Sequence, residues 1–164
     1  MQVLVGCERS GKVRDAFRHL GHMAYSCDLS NVRPLGTFPK YHLKGDVRNF
    51  LDMGWDLGIF FPPCTYLCSS GLHWNKRVAN RGEKTEKALE LIRTLLNCQI
   101  PRVAIENPKG CISTRIRPPD QVIQPYEFGE SDSKTTCLWL RGLPLLEPTQ
   151  RISGRLTYHK GEYI

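Results

Sequence analysis

The feature that most constrains this chain is a set of short apolar runs, each stopping abruptly on residues able to do chemistry. "QVLVGC" (2–7) runs into Glu8, and "HMAYSCD" (22–28) ends on the acid Asp28. "WDLGIFFP" (55–62) is closed by Pro62 and Pro63 ahead of Cys64, and "RVAIEN" (102–107), with Glu106 and Asn107 at its end, is halted by Pro108. Short runs of β-branched and aromatic residues bounded by glycine or proline read as buried strands. Two consecutive prolines remove two ladder donors, so the third run cannot continue as a strand beyond them. Between the first two runs, "ERSGKVRDAFRHLG" sets Val13, Ala16, Phe17 and Leu20 at helical spacing, with Gly21 where a helix-terminating glycine belongs. "EKTEKALELIRTLLNC" (83–98) is the strongest helical pattern, with Ala88, Leu91, Ile92, Leu95 and Leu96 on one face. Strand and helix in alternation predict an α/β fold: a mostly parallel sheet with helices on both faces.

The rest of the chain is more sparsely marked. "LSNVRPLGTFPKYHLKGD" is rich in turn formers and ends on Asp46, "VRNFLDMG" is a short helix candidate, and "QVIQPYEF" and "KTTCLWLRG" are later strand candidates. A length of 164 residues suits a single domain over 1–164, with 148–164 expected to be an irregular tail. No apolar run approaches the ~20 residues of a membrane span, and Met1 leads directly into a strand, which points to a cytoplasmic protein. The seven cysteines are scattered through apolar segments, and only Cys64 and Cys68 lie close together. That pattern fits neither a secreted disulfide frame nor a structural zinc site. Lys and Arg number 23 against 16 Asp and Glu, a balance of +7 that suits a polyanionic or phosphorylated partner.

In a parallel sheet, ligands bind at the carboxyl ends of the strands. Gly6–Cys7–Glu8, Asp28, Asp46, Pro63–Cys64 and Glu106–Asn107 would therefore share one rim. "GCERSG" (6–11) is a glycine-bounded turn opening a helix. Val13 follows Lys12 where a phosphate-binding P-loop needs Ser or Thr, so the turn suits an anionic or amino-acid-like group at a helix N-terminus, or is simply a tight turn. Asp28 lies roughly 20 residues after the glycine turn, the spacing at which α/β nucleotide binders hold a ribose diol. Asp46 is placed for a hydrogen bond to an adenine amino group. Cys64, behind two prolines, is a candidate nucleophile. A carboxylate directly after four core residues, Glu106, is costly unless paired or employed, so it is the candidate acid.

These segments resemble those of the cytosine-C5 DNA methyltransferases. "PPCTYLCSSG" is similar to that family's P-C-Q-x-F-S-x-S-G segment, with Cys64 at the nucleophile and Ser70–Gly71 at the closing S-G. "AIENPKG" resembles its E-N-V-x-G segment, placing Glu106 on the catalytic acid and Asn107 on its partner. "VLVGCERSGKVRDAFRHLGHMAYSCD" resembles the opening that binds S-adenosyl-L-methionine, and "EFGESDSKTTCLWL" loosely matches the Q-x-R-x-R stretch. The resemblance implies a Rossmann-like methyltransferase fold. It also implies cofactor contacts from Gly6, Cys7, Glu8, Ser10, Gly11, Asp28, Asp46 and Pro62, and substrate contacts from Pro63, Ser70, Lys134 and Thr136. The sequence departs from the family pattern in four respects. Thr65 stands for Gln, Cys68 for Ser, and Lys134 and Thr136 for the two arginines. No stretch between Leu140 and Ile164 is long enough to hold the family's target-recognition region.

The chemistry implied is addition of the Cys64 thiolate to pyrimidine C6 while Glu106 engages N3, which makes C5 nucleophilic toward the methyl of S-adenosyl-L-methionine. A target in duplex DNA must be flipped out of the stack, and Lys76, Arg77 and Arg81 are candidates to hold phosphates on that face. Three substrate arrangements are open: DNA with little sequence preference, DNA with a separate specificity partner, or a free pyrimidine nucleotide. Two other functions stand beside this one. An amino-group (N4/N6) DNA methyltransferase would share the Pro-Pro pair, but needs an aromatic residue where Cys64 stands. A catalytically inactive nucleotide- or nucleic-acid-binding module would keep only the fold.

Overall fold

A computed structural model describes residues 1–31, 38–72, 74, 77–153, 158–159 and 162–163. The apolar runs form a parallel set of strands: β1 (Gln2–Gly6), β2 (Met23–Asp28), β3 (His42–Lys44), β4 (Leu57–Phe60) and β5 (Arg102–Pro108). β6 (Gln121–Ile123) and β7 (Thr136–Arg141) complete a sheet in the order β3-β2-β1-β4-β5-β7-β6. β7 runs antiparallel to both β5 and β6. Its first residues therefore lie beside the carboxyl end of β5, with Thr136 level with Pro108 and Leu138 with Glu106.

Side-chain alternation sends each strand's residues to two different cores. Leu4, Phe60, Val103, Ile105 and Trp139 pack on one face with Leu89, Ile92 and Leu95 of the helix α3 (Arg81–Asn97). Val3, Val5, Ala24 and Leu57 pack on the other with Val13 and Phe17 of α1 (Lys12–His19). Helices thus cover both faces of a mostly parallel sheet, as the alternation of elements predicts. Two short helices, α2 (Ser69–Leu72) and α4 (Ile112–Arg115), follow β4 and β5. Phe60 is fully buried between two glycines: a Cβ on Gly6 or Gly58 would come within 2.5–2.7 Å of its ring. Removing such a ring costs about 3–5 kcal/mol.

Several local expectations are corrected. Leu20 is 74% exposed and contributes nothing to the core, whereas Leu89 is fully buried. The turn-rich segment before Asp46 contains β3, and "VRNFLDMG" forms only a 3-10 turn over Val47–Phe50. "QVIQPYEF" is a strand only to Ile123, because Pro125 opens a 3-10 turn. Within the expected irregular tail, Tyr158–His159 (β8) and Glu162–Tyr163 (β9) pair as an antiparallel ladder. Among the described residues no helix is long and apolar enough to cross a membrane.

Candidate functional site

The sheet brings two groups of residues to its carboxyl rim. The first surrounds a cleft of about 390 Å³ at the ends of β1, β2 and β3. Its walls include Cys7, Asp28, Leu29, Asp46, Val47, Pro63 and Leu91. The cleft lies where the strand order turns back on itself, with β1 between β2 and β4, the usual ligand position in such sheets. Its volume falls within the roughly 300–1,000 Å³ of small-molecule sites. Asp28 accepts from the Ser30 backbone N–H at 2.8 Å through one carboxylate oxygen. Asp46 is engaged more fully: Arg48 donates to both its oxygens, at 2.5–3.1 Å, and its own N–H adds a further bond at 3.0 Å. That bonding holds the Asp46 carboxyl below its usual range. A ligand amino group would have to share Asp46 with Arg48.

Cys7 and Cys27 line the same cleft. Burial, and then the neighbouring thiol and acids, push Cys7 up to about 12; burial and the two acids do the same for Cys27. Both are therefore neutral thiols at physiological pH, inert toward an electrophile bound beside them.

The turn residues assigned to the cofactor have been given other work by the fold. Gly6 makes room for Phe60, and Gly11, at φ 74°, is the left-handed residue before α1. The carboxylate of Glu8 is nine-tenths buried against the N-terminus of α1. It accepts from the Ser10 hydroxyl at 2.9 Å, the Val13 N–H at 2.8 Å and the Arg14 N–H at 3.4 Å. A carboxylate at that position complements the unpaired N–H groups and the helix dipole. Glu8, Ser10 and Gly11 thus shape the turn, leaving its backbone and Cys7, at φ 58°, on the cleft. The two prolines differ in their surroundings. Pro63 lines the cleft, while Pro62 is buried and presents its carbonyl to Asn107.

The second group lies at the ends of β4 and β5 and the start of β7. Cys64 is exposed, whereas Cys27, Cys111 and Cys137 are buried and Cys7, Cys68 and Cys98 partly so. Asn107, 1% exposed, donates from its amide nitrogen to the Pro62 carbonyl at 2.8 Å, two residues before the thiol. Glu106, on the opposite pleat of β5, meets the Lys134 ammonium at 3.6 Å. Thr136, whose hydroxyl donates to the Lys134 carbonyl at 3.0 Å, lies with Glu106 at one end of an apolar groove of about 410 Å³. Ser70, in α2, has its hydroxyl 3.2 Å from the Cys68 sulfur.

The loops carrying Cys64 and Asn107 are bolted together. Cys68 pairs with Gly110, the Cys111 N–H donates to the Leu67 carbonyl at 2.8 Å, and the Ser69 N–H donates to the Lys109 carbonyl at 3.1 Å. Gly110 permits this approach, since a Cβ there would sit 2.8 Å from the Cys68 Cα and closer still to the Leu67 carbonyl oxygen. Of the expected phosphate contacts, Lys76 lies outside the described residues and Arg77 rests over the Trp74 ring, 5.9 Å from its centroid. One nitrogen of the Arg81 guanidinium donates to the Thr65 carbonyl at 2.9 Å. Neither that contact nor the Glu8 cap is visible in the sequence, where Glu8 is assigned to the cofactor and Arg81 to a phosphate.

No family model and no curated protein matches the sequence. Solved structures do match in fold. The methyltransferase EhMeth of Entamoeba histolytica superposes with a TM-score of 0.61 at 14% identity, over 93% of this chain and 57% of that one. A prophage-encoded E. coli protein assigned as a DNA modification methyltransferase gives 0.52 at 13% identity, over 85% of this chain and 46% of that one. The chain thus spans about half the length of the structures it matches. With its strand order and reversed β7, it has the Rossmann-like fold of these methyltransferases.

Proposed function

We propose that the protein is an S-adenosyl-L-methionine-dependent methyltransferase acting on C5 of cytosine, through a covalent adduct of Cys64 at C6. The observation that carries this reading is the Asn107–Pro62 hydrogen bond. It joins the end of the strand leading to an exposed thiol to the strand bearing Glu106, and Pro63, between Pro62 and Cys64, is a wall of the cleft. The proposed nucleophile and acid thereby follow from adjacent parallel strands, β4 and β5.

The cleft fits the cofactor in shape and donor chemistry. Asp28 is the acceptor for the ribose hydroxyls, and Leu29, Val47 and Leu91 supply apolar walls for a purine. When bound, S-adenosyl-L-methionine supplies an electrophilic methyl group. The neutral thiols of Cys7 and Cys27 do not compete for it. Cys64 adds to C6 as the thiolate and leaves again when the C5 proton is lost. Glu106 engages N3, and Lys134 keeps that carboxyl oriented. Splitting the reaction into addition and elimination is what makes C5 of an aromatic ring nucleophilic enough to react.

The substrate is a cytosine in DNA or in a free nucleotide, with the +7 charge balance favouring a polyanion. A separate specificity partner would select the target sequence. The test is transfer of labelled methyl to DNA and to free cytosine nucleotides by the wild type and Cys64→Ser. Label at C5 that disappears in the variant is the expected result. Label on an exocyclic amino group that survives it would instead establish an amino-group methyltransferase.

A further inference from the structure

We infer that Arg81, together with Thr85, is a positioning residue that fixes the nucleophile loop to α3. The inference rests on the reading of Cys64 as the nucleophile. Arg81 and Thr85 are one helical turn apart at the start of α3, so they project from one face. They bond to the carbonyls of two consecutive residues just after the thiol. The Arg81 guanidinium donates to the Thr65 carbonyl at 2.9 Å, and the Thr85 hydroxyl donates to the Tyr66 carbonyl at 3.0 Å. Thr85 is 1% exposed, and the guanidinium carbon of Arg81 lies 4.9 Å from the centroid of the Tyr66 ring. Arg81 itself is half-buried, with its Nε shielded from solvent. Gly71 clears its path, since a Cβ there would stand 2.9 Å from the donating nitrogen.

With these two contacts, nearly every carbonyl around the thiol is held. Asn107 takes that of Pro62, the Leu67 and Cys68 N–H groups take that of Cys64, and the Cys111 N–H takes that of Leu67. The Arg81 and Thr85 bonds differ from the others in coming from α3, which becomes a fixed reference for an exposed sulfur. A displacement of about 1 Å in a reacting group costs roughly 10²-fold in rate.

The experiment compares Arg81→Ala, Arg81→Lys and Thr85→Val with the wild type. It measures single-turnover methylation of a cytosine-containing oligonucleotide, donor affinity, and hydrogen–deuterium exchange at the amides of residues 65–68. Arg81→Ala should slow the turnover roughly 10–100-fold, leave donor affinity within about twofold, and speed exchange at the loop. Arg81→Lys, which can still donate to the Thr65 carbonyl, should recover part of both losses. Thr85→Val should repeat the pattern on a smaller scale, with melting temperatures identifying any variant that is merely unfolded. Unchanged exchange and turnover in Arg81→Ala would overturn the inference alone. A wild type that transfers no methyl would overturn the parent reading and this inference with it.

Discussion

The two halves of the rim are built differently. At the ends of β2 and β3 the acids are held by neighbours two residues away, Asp28 by Ser30 and Asp46 by Arg48. At the ends of β4 and β5 the contacts span the chain: Asn107 to Pro62, Arg81 to Thr65, Thr85 to Tyr66 and Ser69 to Lys109. On the cleft only the acid side chains are held locally; the backbone beneath them is tied across strands, with the Gly45 N–H donating to the Asp28 carbonyl at 2.9 Å. Long-range bonds fix one loop against another before any ligand arrives. The thiols follow the same division, with neutral, enclosed Cys7 and Cys27 on the cleft and exposed Cys64 on the braced loop. Preorganisation is concentrated where a covalent bond would form.

The strongest way to break this contrast is Gly110→Ala. A Cβ at that position meets backbone atoms of Leu67 and Cys68, which cannot yield as a flexible side chain would. The expected loss is about 2–3 kcal/mol, a fall of roughly 5–10 °C in melting temperature for a domain of this size, together with most of the activity. A variant that melts and turns over like the wild type would show that the two loops are not held together as described.

Asp28→Ala probes the other half alone. Losing charge-assisted hydrogen bonds to a ribose should weaken donor binding roughly 10–100-fold, measured by calorimetry. The rate at which iodoacetamide modifies Cys64 should not change. If that rate changed as much as donor affinity, the two halves would not be independent.

The smallest expected effect is on alkaline stability. Cys7 and Cys27 move from an ordinary thiol value of 9.0 to about 12 in the folded chain. Below pH 9 both states hold the proton and stability does not depend on these groups. Between pH 9 and 12 the unfolded chain releases protons that the folded chain retains, so stability falls as pH rises. Chemical denaturation over pH 8–11 should show this decline, and Cys27→Ala should flatten it. An equal slope in the variant would remove Cys27 from the account.

The sheet was legible because β1, β2, β4 and β5 are dense apolar runs cut off by glycine, proline or an acid. β3 escaped notice because three residues on a sheet edge carry no alternation strong enough to stand out from the turn formers around them. The rim positions of Cys64, Glu106 and Asp28 could be inferred from strand ends. What their neighbours do could not, because Glu8, Arg14 and Arg81 look like surface charges in any hydrophobic pattern. Glu8 is consumed by the end of a helix, and Arg14, fully buried, is spent on Asp15 at 2.7 Å and the Ser26 hydroxyl at 2.8 Å. Such roles depend on which groups tertiary packing leaves unpaired. The approach of Lys134 to Glu106 likewise follows from the antiparallel pairing of β7 with β5.

The most direct test of the central claim is mass spectrometry of the protein incubated with S-adenosyl-L-methionine and an oligonucleotide containing 5-fluorocytosine. Fluorine at C5 cannot leave as a proton does, so the addition product persists. The account predicts a stable one-to-one adduct mapping to the peptide that carries Cys64 and absent from Cys64→Ser. Methyl transfer to natural cytosine with no such adduct, or an adduct on any other cysteine, would contradict it.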